Sequence, residues 1–287
     1  METNAVSAYK NLIVVPTDFS EVCANAAAHA AGIARKLNFS ICLVHITDKD
    51  TRSWLKSNGL EESVLEHKLS SLADQLVKDY QITVTTHVRE GDIFTSLSQV
   101  LSEMGANMMV MATHGKNGFQ RLMGSNALRV VTDSPVPVLV VQKRRFNEGY
   151  QRIVFPISND MEVRQMVRLA ISLQKRFGAT LLLIQDYEDE PRFKAQLEIK
   201  TQQILEELRR YDVQYRLSRS EEGDFAANVI SFAAVENADL ILVMSLADGE
   251  TPGFFFNTWS EKIMFNTAQV PVLCLNPVDY GTIYYEL

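Results

Sequence analysis

The sequence predicts an α/β protein made of two tandem, doubly wound domains, and three observations support this. Short apolar runs alternate with helical segments along all 287 residues, a pattern typical of strands joined by crossover helices in a parallel sheet. The apolar runs are continuous rather than alternating, as expected when helices cover both faces of the sheet. The second half repeats the order of the first, and at about 150 residues per domain the length fits two copies.

The first half contains four predicted helices and five predicted strands. Ser20 is a suitable N-cap for an Ala-rich helix, and Asp92 is a suitable N-cap for a later one. A glycine-containing loop over 113–124 precedes the last helix. The predicted helices cover 21–37, roughly 58–80, 93–104 and 125–134, and the predicted strands cover 12–16, 41–46, 82–88, 108–112 and 136–141.

The second half matches the first in five segments that keep their order. This agreement indicates a duplication, with a charged linker over 143–151. We therefore predict one domain over 1–146 and a second over 147–287. The matched segments are 153–156 with 13–16, 181–184 with 42–45, 222–224 with 90–92, 238–244 with 106–112, and 269–273 with 135–139.

The composition is that of an ordinary soluble protein, with 46% hydrophobic and 22% charged residues. A net charge of -7 argues against nucleic acid and anionic membranes as partners. Cys23, Cys42 and Cys274 form no C-x-x-C pair, so no disulfide or zinc framework is expected. The first residues do not resemble a secretory signal, and no apolar run is long enough to span a membrane. We expect a cytoplasmic protein.

Ligands of doubly wound sheets bind outside the carboxyl ends of the strands, where the strand order reverses. Polar residues and glycines follow several strands here, and the loop over 113–124 opens a helix at Ser125 and Asn126. Glycines beside a helix N-terminus allow backbone N–H groups to approach a phosphate. Glycines also close ordinary turns, however, and Ser125 is also a routine N-cap. Without a P-loop or a G-x-G-x-x-G motif, the loop alone leaves both interpretations open.

Several segments together resemble the universal stress protein family. They are VVPTDFS at 14–20, LVHI at 43–46, MATHG at 111–115, GS at 124–125 and VPVLVV at 136–141. The resemblance covers essentially the whole first half, whereas the second half resembles the family by pattern only. It implies a role in the stress response and, in each half, a five-stranded parallel sheet of strand order 3-2-1-4-5. Family members are usually dimeric, and nucleotide-binding members hold ATP, with Mg²⁺, between the first and fourth strands.

The resemblance also implies a set of binding residues in the first half. Asp18 would face the adenine, backbone groups near Ile46 would contact the base, and the loop glycines would line the ribose and phosphates. The full set is Pro16, Thr17, Asp18, Ile46, Met111, His114, Gly115, Gly124, Ser125 and Asn126.

The chain departs from the ATP-binding form of the family motif, which is G-x-x-G, nine residues, then G-[ST]. Ala112 replaces the first glycine, and only eight residues separate Gly115 from Gly124. The added methyl group and the shorter loop both change how closely backbone N–H groups can approach a phosphate.

The second half lacks the counterparts of this site. Ser158 stands in the place of Asp18 and Gln185 in the place of His45, and Thr258-Trp259 replaces Gly124-Ser125. Because the base-facing carboxylate is missing, we expect this half to pack against the first as a pseudo-symmetric partner. The two halves are expected to pair through their fifth strands, and a further homodimer stays open.

Three hypotheses on function follow. Asp18, His45 and His114 are of types that can bind a metal, but the family resemblance accounts for them without one. No catalytic arrangement can be argued from the spacing, so we expect at most slow ATP hydrolysis. The first half is then either a module that binds ATP or another adenine nucleotide, or part of a ligand-independent pseudo-dimer that binds an unknown protein partner. The third hypothesis is a different small ligand in the same cleft.

Overall fold

A computed structural model provides the structure of the chain. It describes residues 11–113, 125–147, 149–160, 163–247, 254–255 and 258–277. The strands are β1 (Leu12–Pro16), β2 (Ser40–Thr47), β3 (Val84–Glu90), β4 (Met108–Ala112), β5 (Val138–Val141), β6 (Arg152–Ile157), β7 (Thr180–Gln185), β8 (Tyr215–Arg219), β9 (Leu240–Met244), β10 (Leu246–Ala247), β11 (Phe254–Phe255) and β12 (Val272–Leu275). The helices are α1 (Glu21–Leu37), α2 (Lys49–Ser57), α3 (Ser63–Tyr80), α4 (Ile93–Met104), α5 (Ser125–Thr132), α6 (Val163–Phe177), α7 (Pro191–Arg210), α8 (Phe225–Val235) and α9 (Thr258–Met264).

One ten-stranded sheet runs through both halves in the order β3-β2-β1-β4-β5-β12-β9-β6-β7-β8. Each half keeps its own parallel strands in the order 3-2-1-4-5, which confirms the predicted doubly wound fold. The fifth strands, β5 and β12, pair antiparallel and join the two sheets into one. The short strands β10 and β11 form a separate antiparallel pair.

Helices cover both faces of the sheet. Residues of α1, α3, α6 and α7 pack on one face in a single apolar core, and residues of α4, α5, α8 and α9 pack on the other. Both cores contain residues from both halves of the chain. The eight inner strands of this sheet are buried on both faces, so their apolar runs are continuous, as the sequence pattern predicted. The edge strands β3 and β8 are partly exposed and contain polar residues.

Local sequence signals explain where the helices begin and end. The hydroxyl group of Ser20 accepts a hydrogen bond from the backbone N–H of Cys23 at 3.4 Å and caps α1, which ends at Asn38 with φ 59°. The carboxylate of Asp92 caps α4 by accepting from the N–H of Phe94 at 3.1 Å. These capping residues are the ones the sequence indicated.

The prediction of one long helix over 58–80 was wrong at its beginning. The helix α3 begins at Ser63, and a separate helix α2 precedes it, capped by Asp48, which accepts from the N–H of Thr51 at 2.8 Å. Only Thr51 and Leu55 of α2 are buried, so the helix has almost no apolar stripe by which a periodic pattern could reveal it. The third strand, predicted over 82–88, is observed two residues later.

The joint between the halves is nearly symmetric. Leu139 of β5 lies opposite Leu273 of β12. Past the end of β5, the side-chain amide of Gln142 donates to the carbonyl of Asn266 at 3.0 Å, and Asn276, past the end of β12, donates to the carbonyl of Val131 at 2.8 Å. The two halves therefore meet as two subunits of a twofold dimer would.

The linker is held against α1 by buried polar groups. The side chain of Asn25 donates to the carbonyls of Gln142 at 2.7 Å and of Arg144 at 2.8 Å. The ring of His29 bonds the hydroxyl group of Tyr150 at 3.0 Å and the carbonyl of Arg144 at 2.8 Å. His29 and Tyr150 are buried, so the connection between the halves belongs to the core.

The three cysteines are free and buried. Burial raises the pKa of the Cys23 thiol to about 11, with the nearby charge of Asp18 as the second cause. In the described part of the chain, no helix is long and apolar enough to cross a membrane.

Candidate functional site

The strand order of the first half reverses between β1 and β4. The chain leaves β1 through α1 towards β2 and later returns through α4 to β4, on the other side of β1. This divergence leaves a crevice at the carboxyl edge of the two strands, the usual place of a ligand in open α/β sheets. The segment after β1 and the residue after β4 form its described walls.

The turn after β1 holds an exposed carboxylate in a fixed place. One oxygen of Asp18 accepts from the N–H of Ser20 at 2.9 Å, and the hydroxyl group of Thr17 accepts from the N–H of Phe19 at 3.0 Å. Thr17 is buried, whereas Asp18 is exposed. The carboxylate therefore lies at the N-terminus of α1, where the helix dipole stabilises a negative charge.

Phe19 has an unusual backbone conformation in this turn. Its φ is 66°, a value that costs a bulky residue about 1–3 kcal/mol and tends to occur at functional sites. The ring of His45 stacks on the ring of Phe19 at 4.8 Å between centroids. Nδ1 of His45 lies 2.8 Å from the carbonyl oxygen of Thr17. His45 thus supports the turn from the α1 face of the sheet.

Two of the expected binding residues, Ile46 and Met111, have their side chains in the apolar core. Met111 is fully buried and Ile46 is 8% exposed, both in the core under α4 and α5. Their side chains are therefore part of that core, and only their backbone groups are available to a ligand. The carbonyl of Ile46 accepts from the N–H of Asp48 at 3.2 Å.

Thr113 belongs to the site but is missing from the set that the resemblance implies. The register of β1 with β4 pairs Val14 with Met109, and Thr113 follows the end of β4 at the same edge of the sheet where Asp18 follows β1. Its side chain is 1% exposed, and its hydroxyl oxygen has no hydrogen-bond partner among the residues that the structure describes. A buried hydroxyl group without a partner at this edge is a position for a polar ligand atom or a water molecule.

The N-terminus of α5 is at the same edge, because α5 begins at Ser125 between the parallel strands β4 and β5. Asn126 is in its first turn. The unpaired N–H groups of such a helix end favour an anion. His114, Gly115 and Gly124 lie outside the described residues.

A cavity of about 420 Å³ lies beside the turn, between the start of α1 and α3. This volume is in the range of small-molecule pockets, which is about 300–1,000 Å³. The ammonium group of Lys68 lies 5.4 Å from the centre of the Phe19 ring. The cavity is lined by Thr17, Phe19, Ser20, Ala24, Val64, His67, Lys68, Ser71 and Leu72.

The sequence of the chain is similar to that of one family of known proteins. The family model described as the universal stress protein family matches residues 10–142. The universal stress protein MJ0531 of Methanocaldococcus jannaschii is 30% identical over 147 residues, which cover 49% of this chain and 86% of that protein. The chain belongs to the universal stress protein family.

Solved structures of universal stress proteins also resemble it. One from Archaeoglobus fulgidus has a TM-score of 0.72 at 19% identity and covers 93% of this chain and 98% of its own, so the fold of both halves has a solved counterpart. A universal stress protein solved in complex with cAMP is 22% identical, with a TM-score of 0.39, over 48% of this chain and 100% of its own.

The second half confirms two of the expected replacements by strand register. Pro156 pairs with Ile184 as Pro16 pairs with Val44. Ser158 therefore stands in the place of Asp18, and Gln185 in the place of His45. The sequence match of 181–184 with 42–45 was wrong by one residue, because the register aligns 182–185 with 42–45.

At the start of α9, the ring of Trp259 packs against Phe225 at 5.2 Å between centroids. The indole is partly buried and packs against the core on the α8 face.

Proposed function

We propose that the first half of this universal stress protein binds an adenine nucleotide, ATP with Mg²⁺, at the crevice between β1 and β4. The observation that supports this best is the exposed Asp18 carboxylate at the switch point. Hydrogen bonds within the turn hold it there, next to the strand that leads into α5. A rigid acceptor for a base and a helix N-terminus for phosphate are then close to one another.

The residues divide between the two ends of the ligand. Pro16, Thr17, Asp18 and the backbone of Ile46 serve the base, and Thr113 adds a hydroxyl group. Ser125 and Asn126 serve the phosphates at the start of α5. Met111, His114, Gly115 and Gly124 complete the proposed set by their match to the family motif.

The replacement of glycine by Ala112 is compatible with this proposal. Ala112 is 5% exposed and belongs to the core on the α1 face. Its methyl group is packed among apolar side chains, so it takes little space at the edge of the sheet.

In this proposal the protein acts in the cytoplasm as a nucleotide-responsive stress protein without a catalytic residue of its own. The second half is structural with respect to the nucleotide, because Ser158 offers no carboxylate where Asp18 does. Nucleotide binding alters which protein partner, or second copy of the chain, the first half binds.

Calorimetric titration of nucleotide-free protein with ATP and Mg²⁺ tests the proposal. We expect micromolar affinity in the wild type and at least tenfold weaker binding in Asp18→Ala, because a hydrogen bond to a charged group contributes about 1.5–3 kcal/mol. Asp79→Ala, which removes an exposed carboxylate from the last turn of α3, should bind as the wild type does. Unchanged affinity in Asp18→Ala would contradict the proposed role.

The continuous sheet favours a second candidate function, a ligand-independent scaffold. The joint at β5 and β12 makes one chain equivalent to a dimer without any nucleotide. In this case Asp18 only stabilises the start of α1 through the helix dipole, and Asp18→Ala would cost about 0.3–1 kcal/mol of stability with no change in partner binding. If the protein does not bind ATP at millimolar concentration, that result would support this second function.

A further inference from the structure

The carboxyl edge of the second half carries its own row of polar side chains. The N–H of Asp186 donates to the carbonyl of Ile157 at 2.9 Å, and the N–H of Ser220 donates to the carbonyl of Gln185 at 2.8 Å. These bonds continue the parallel ladder by one residue beyond β7 and β8. Ser158, Asp186 and Ser220 therefore lie side by side at the ends of β6, β7 and β8, on one face of the sheet.

This row lies on the α8 face. Gln185, the residue before Asp186, points to the other face, where its side-chain amide donates to Glu198 of α7 at 3.2 Å. Because successive side chains of a strand alternate between faces, Asp186 is directed away from α7. Lys200 of α7 donates instead to the carbonyl oxygens of Ser158 at 3.0 Å and Asn159 at 2.5 Å.

In the first half the carboxylate at this edge, Asp18, follows the first strand, whereas in the second half Asp186 follows the second strand. By register, Ser158 stands in the place of Asp18, and Asp186 stands in the place of the buried Ile46. At these two positions, the second half has lost the acid of the first strand and gained one on the second. Its edge is therefore chemically different from that of the first half, and it is still acidic.

The row contains a buried hydroxyl group without a hydrogen-bond partner and a carboxylate without an ion pair. Ser158 is 3% exposed, and its hydroxyl oxygen has no hydrogen-bond partner among the described residues. The carboxylate of Asp186 is half-buried, accepts from the N–H of Tyr187 at 2.8 Å, and forms no ion pair with any residue that the structure describes. Buried polar groups of this kind are normally satisfied by water, by an ion or by a ligand.

The charges that act on the pKa of Asp186 are negative. Burial raises the pKa of its carboxyl group to about 6, and the charges of Glu188 and Asp160 raise it as well. The N–H of Tyr187 and the hydroxyl group of Ser220 act in the opposite direction but do not cancel these causes. A positive charge at this position would reduce the electrostatic repulsion among the carboxylates of Asp186, Glu188 and Asp160.

We propose that the row formed by Ser158, Asp186 and Ser220 binds a ligand through a protonated alkylamine group. Its three side chains all offer oxygen acceptors, and an ammonium group has three donors and no acceptor. Among the described residues, no group of three or more His, Cys, Asp and Glu is arranged to hold a metal ion. The exposed Glu221 and Glu222 follow directly after Ser220, so a diamine suits the site better than a monoamine.

Calorimetric titration of the full chain with 1,4-diaminobutane tests this, with 1,4-butanediol as the neutral control ligand. We expect binding of the diamine only, at least tenfold weaker in Asp186→Asn and measurably weaker in Ser158→Ala. Asp189→Asn, a matched change at an exposed carboxylate nearby, should bind as the wild type does. Asp18→Ala should also bind the diamine normally, which separates this site from the nucleotide proposal.

Proton release gives a second readout. The diamine stays protonated near neutral pH because alkylamines have a pKa of about 10.4, whereas Asp186 is partly protonated near pH 6. Binding should therefore release protons near pH 6, seen as a heat that depends on the buffer, and should release none near pH 8 or in Asp186→Asn. No binding at millimolar diamine, or equal affinity in Asp186→Asn and Asp189→Asn, would overturn the proposal.

Discussion

His29 is a polar residue in the middle of the Ala-rich helix α1, and its two ring nitrogens hold the linker. One bonds the hydroxyl group of Tyr150 at 3.0 Å and the other the carbonyl of Arg144 at 2.8 Å. Burial lowers the pKa of His29 to about 4, although its bond to Arg144 acts in the opposite direction. The native structure therefore holds the ring of His29 in its neutral form near neutral pH.

The stability of the protein should consequently depend on the charge of His29. Its pKa falls from 6.5 to about 4 on folding, so the unfolded chain binds more protons between these values. The contribution of the neutral His29 ring to stability is fully present above about pH 6.5 and is lost as the pH falls towards 4. About 2 kcal/mol of it is lost by pH 5. Urea unfolding near pH 7.5 and near pH 5 measures this loss. In His29→Gln the loss should be smaller by about 2 kcal/mol, and an equal loss in both proteins would contradict the assignment.

Asp18 could be placed at the site from its sequence position, whereas its surroundings could not. The end of an apolar strand followed by a helix cap is a local pattern, and it puts Asp18 at the carboxyl edge of the sheet. The positive φ of Phe19 and its stacking on His45 depend on contacts between separate strands. Likewise, the row at Asp186 depends on the register of three separate strands, which a comparison of the two halves along the sequence does not give.

Helices and strands with strong apolar patterns were predicted well, and the exposed elements were not. The strands β1, β4 and the helix α1 carry continuous or periodic apolar residues, so their predicted bounds agree with the observed ones. The helix α2 lies on the surface with two buried residues, so neither a periodic pattern nor burial identified it. Helix formation there depends on the cap at Asp48 and on tertiary context.

Gly32 shows how the helix α1 is shaped to receive the linker. A Cβ atom at this position would overlap the ring of Phe146, which packs across the helix. Phe146 also meets the ring of His29 edge-on at 5.3 Å. The missing side chain thus lets the linker approach the helix closely, and this explains a glycine in a helix interior.

Replacing Gly32 by alanine should therefore have opposite effects in two backgrounds. In the wild type we expect a loss of about 1–3 kcal/mol, because the added methyl group overpacks the contact with Phe146. In Phe146→Ala the same change should stabilise the protein by about 0.5–1 kcal/mol, the helix preference of alanine over glycine. Denaturant unfolding of the four proteins of this cycle measures both effects. A gain of stability in both backgrounds would show that the ring moves aside without cost.

At the scale of the whole molecule, two domains share one sheet. The antiparallel pairing of β5 with β12 buries the edges that two separate five-stranded sheets would expose. Both apolar cores cross this joint, and Gln142 and Asn276 seal its ends with hydrogen bonds to the opposite half. The halves should therefore depend on each other for stability.

The chain offers one tryptophan in each half to test this dependence. Trp54 of α2 reports on the first half, and Trp259 of α9 reports on the second. The variants Trp54→Phe and Trp259→Phe each keep one tryptophan as a probe. We expect both variants to unfold at the same urea concentration in a single transition. Leu273→Ala at the joint should shift both probes together by about 2–5 kcal/mol. Separate midpoints for the two probes would show that the halves unfold independently.

The number of nucleotides bound per chain tests the central claim most directly. One sample of the protein should be purified without added nucleotide, and a second sample should be saturated with ATP and Mg²⁺ in the native state. Both samples are then denatured, and the nucleotide released from each is quantified by ion-exchange chromatography. We predict one adenine nucleotide per saturated wild-type chain, and less than one in Asp18→Ala at an ATP concentration near the wild-type dissociation constant, because only the first half has Asp18 where the second half has Ser158. Two nucleotides per chain, or none at saturation, would contradict a single site in the first half.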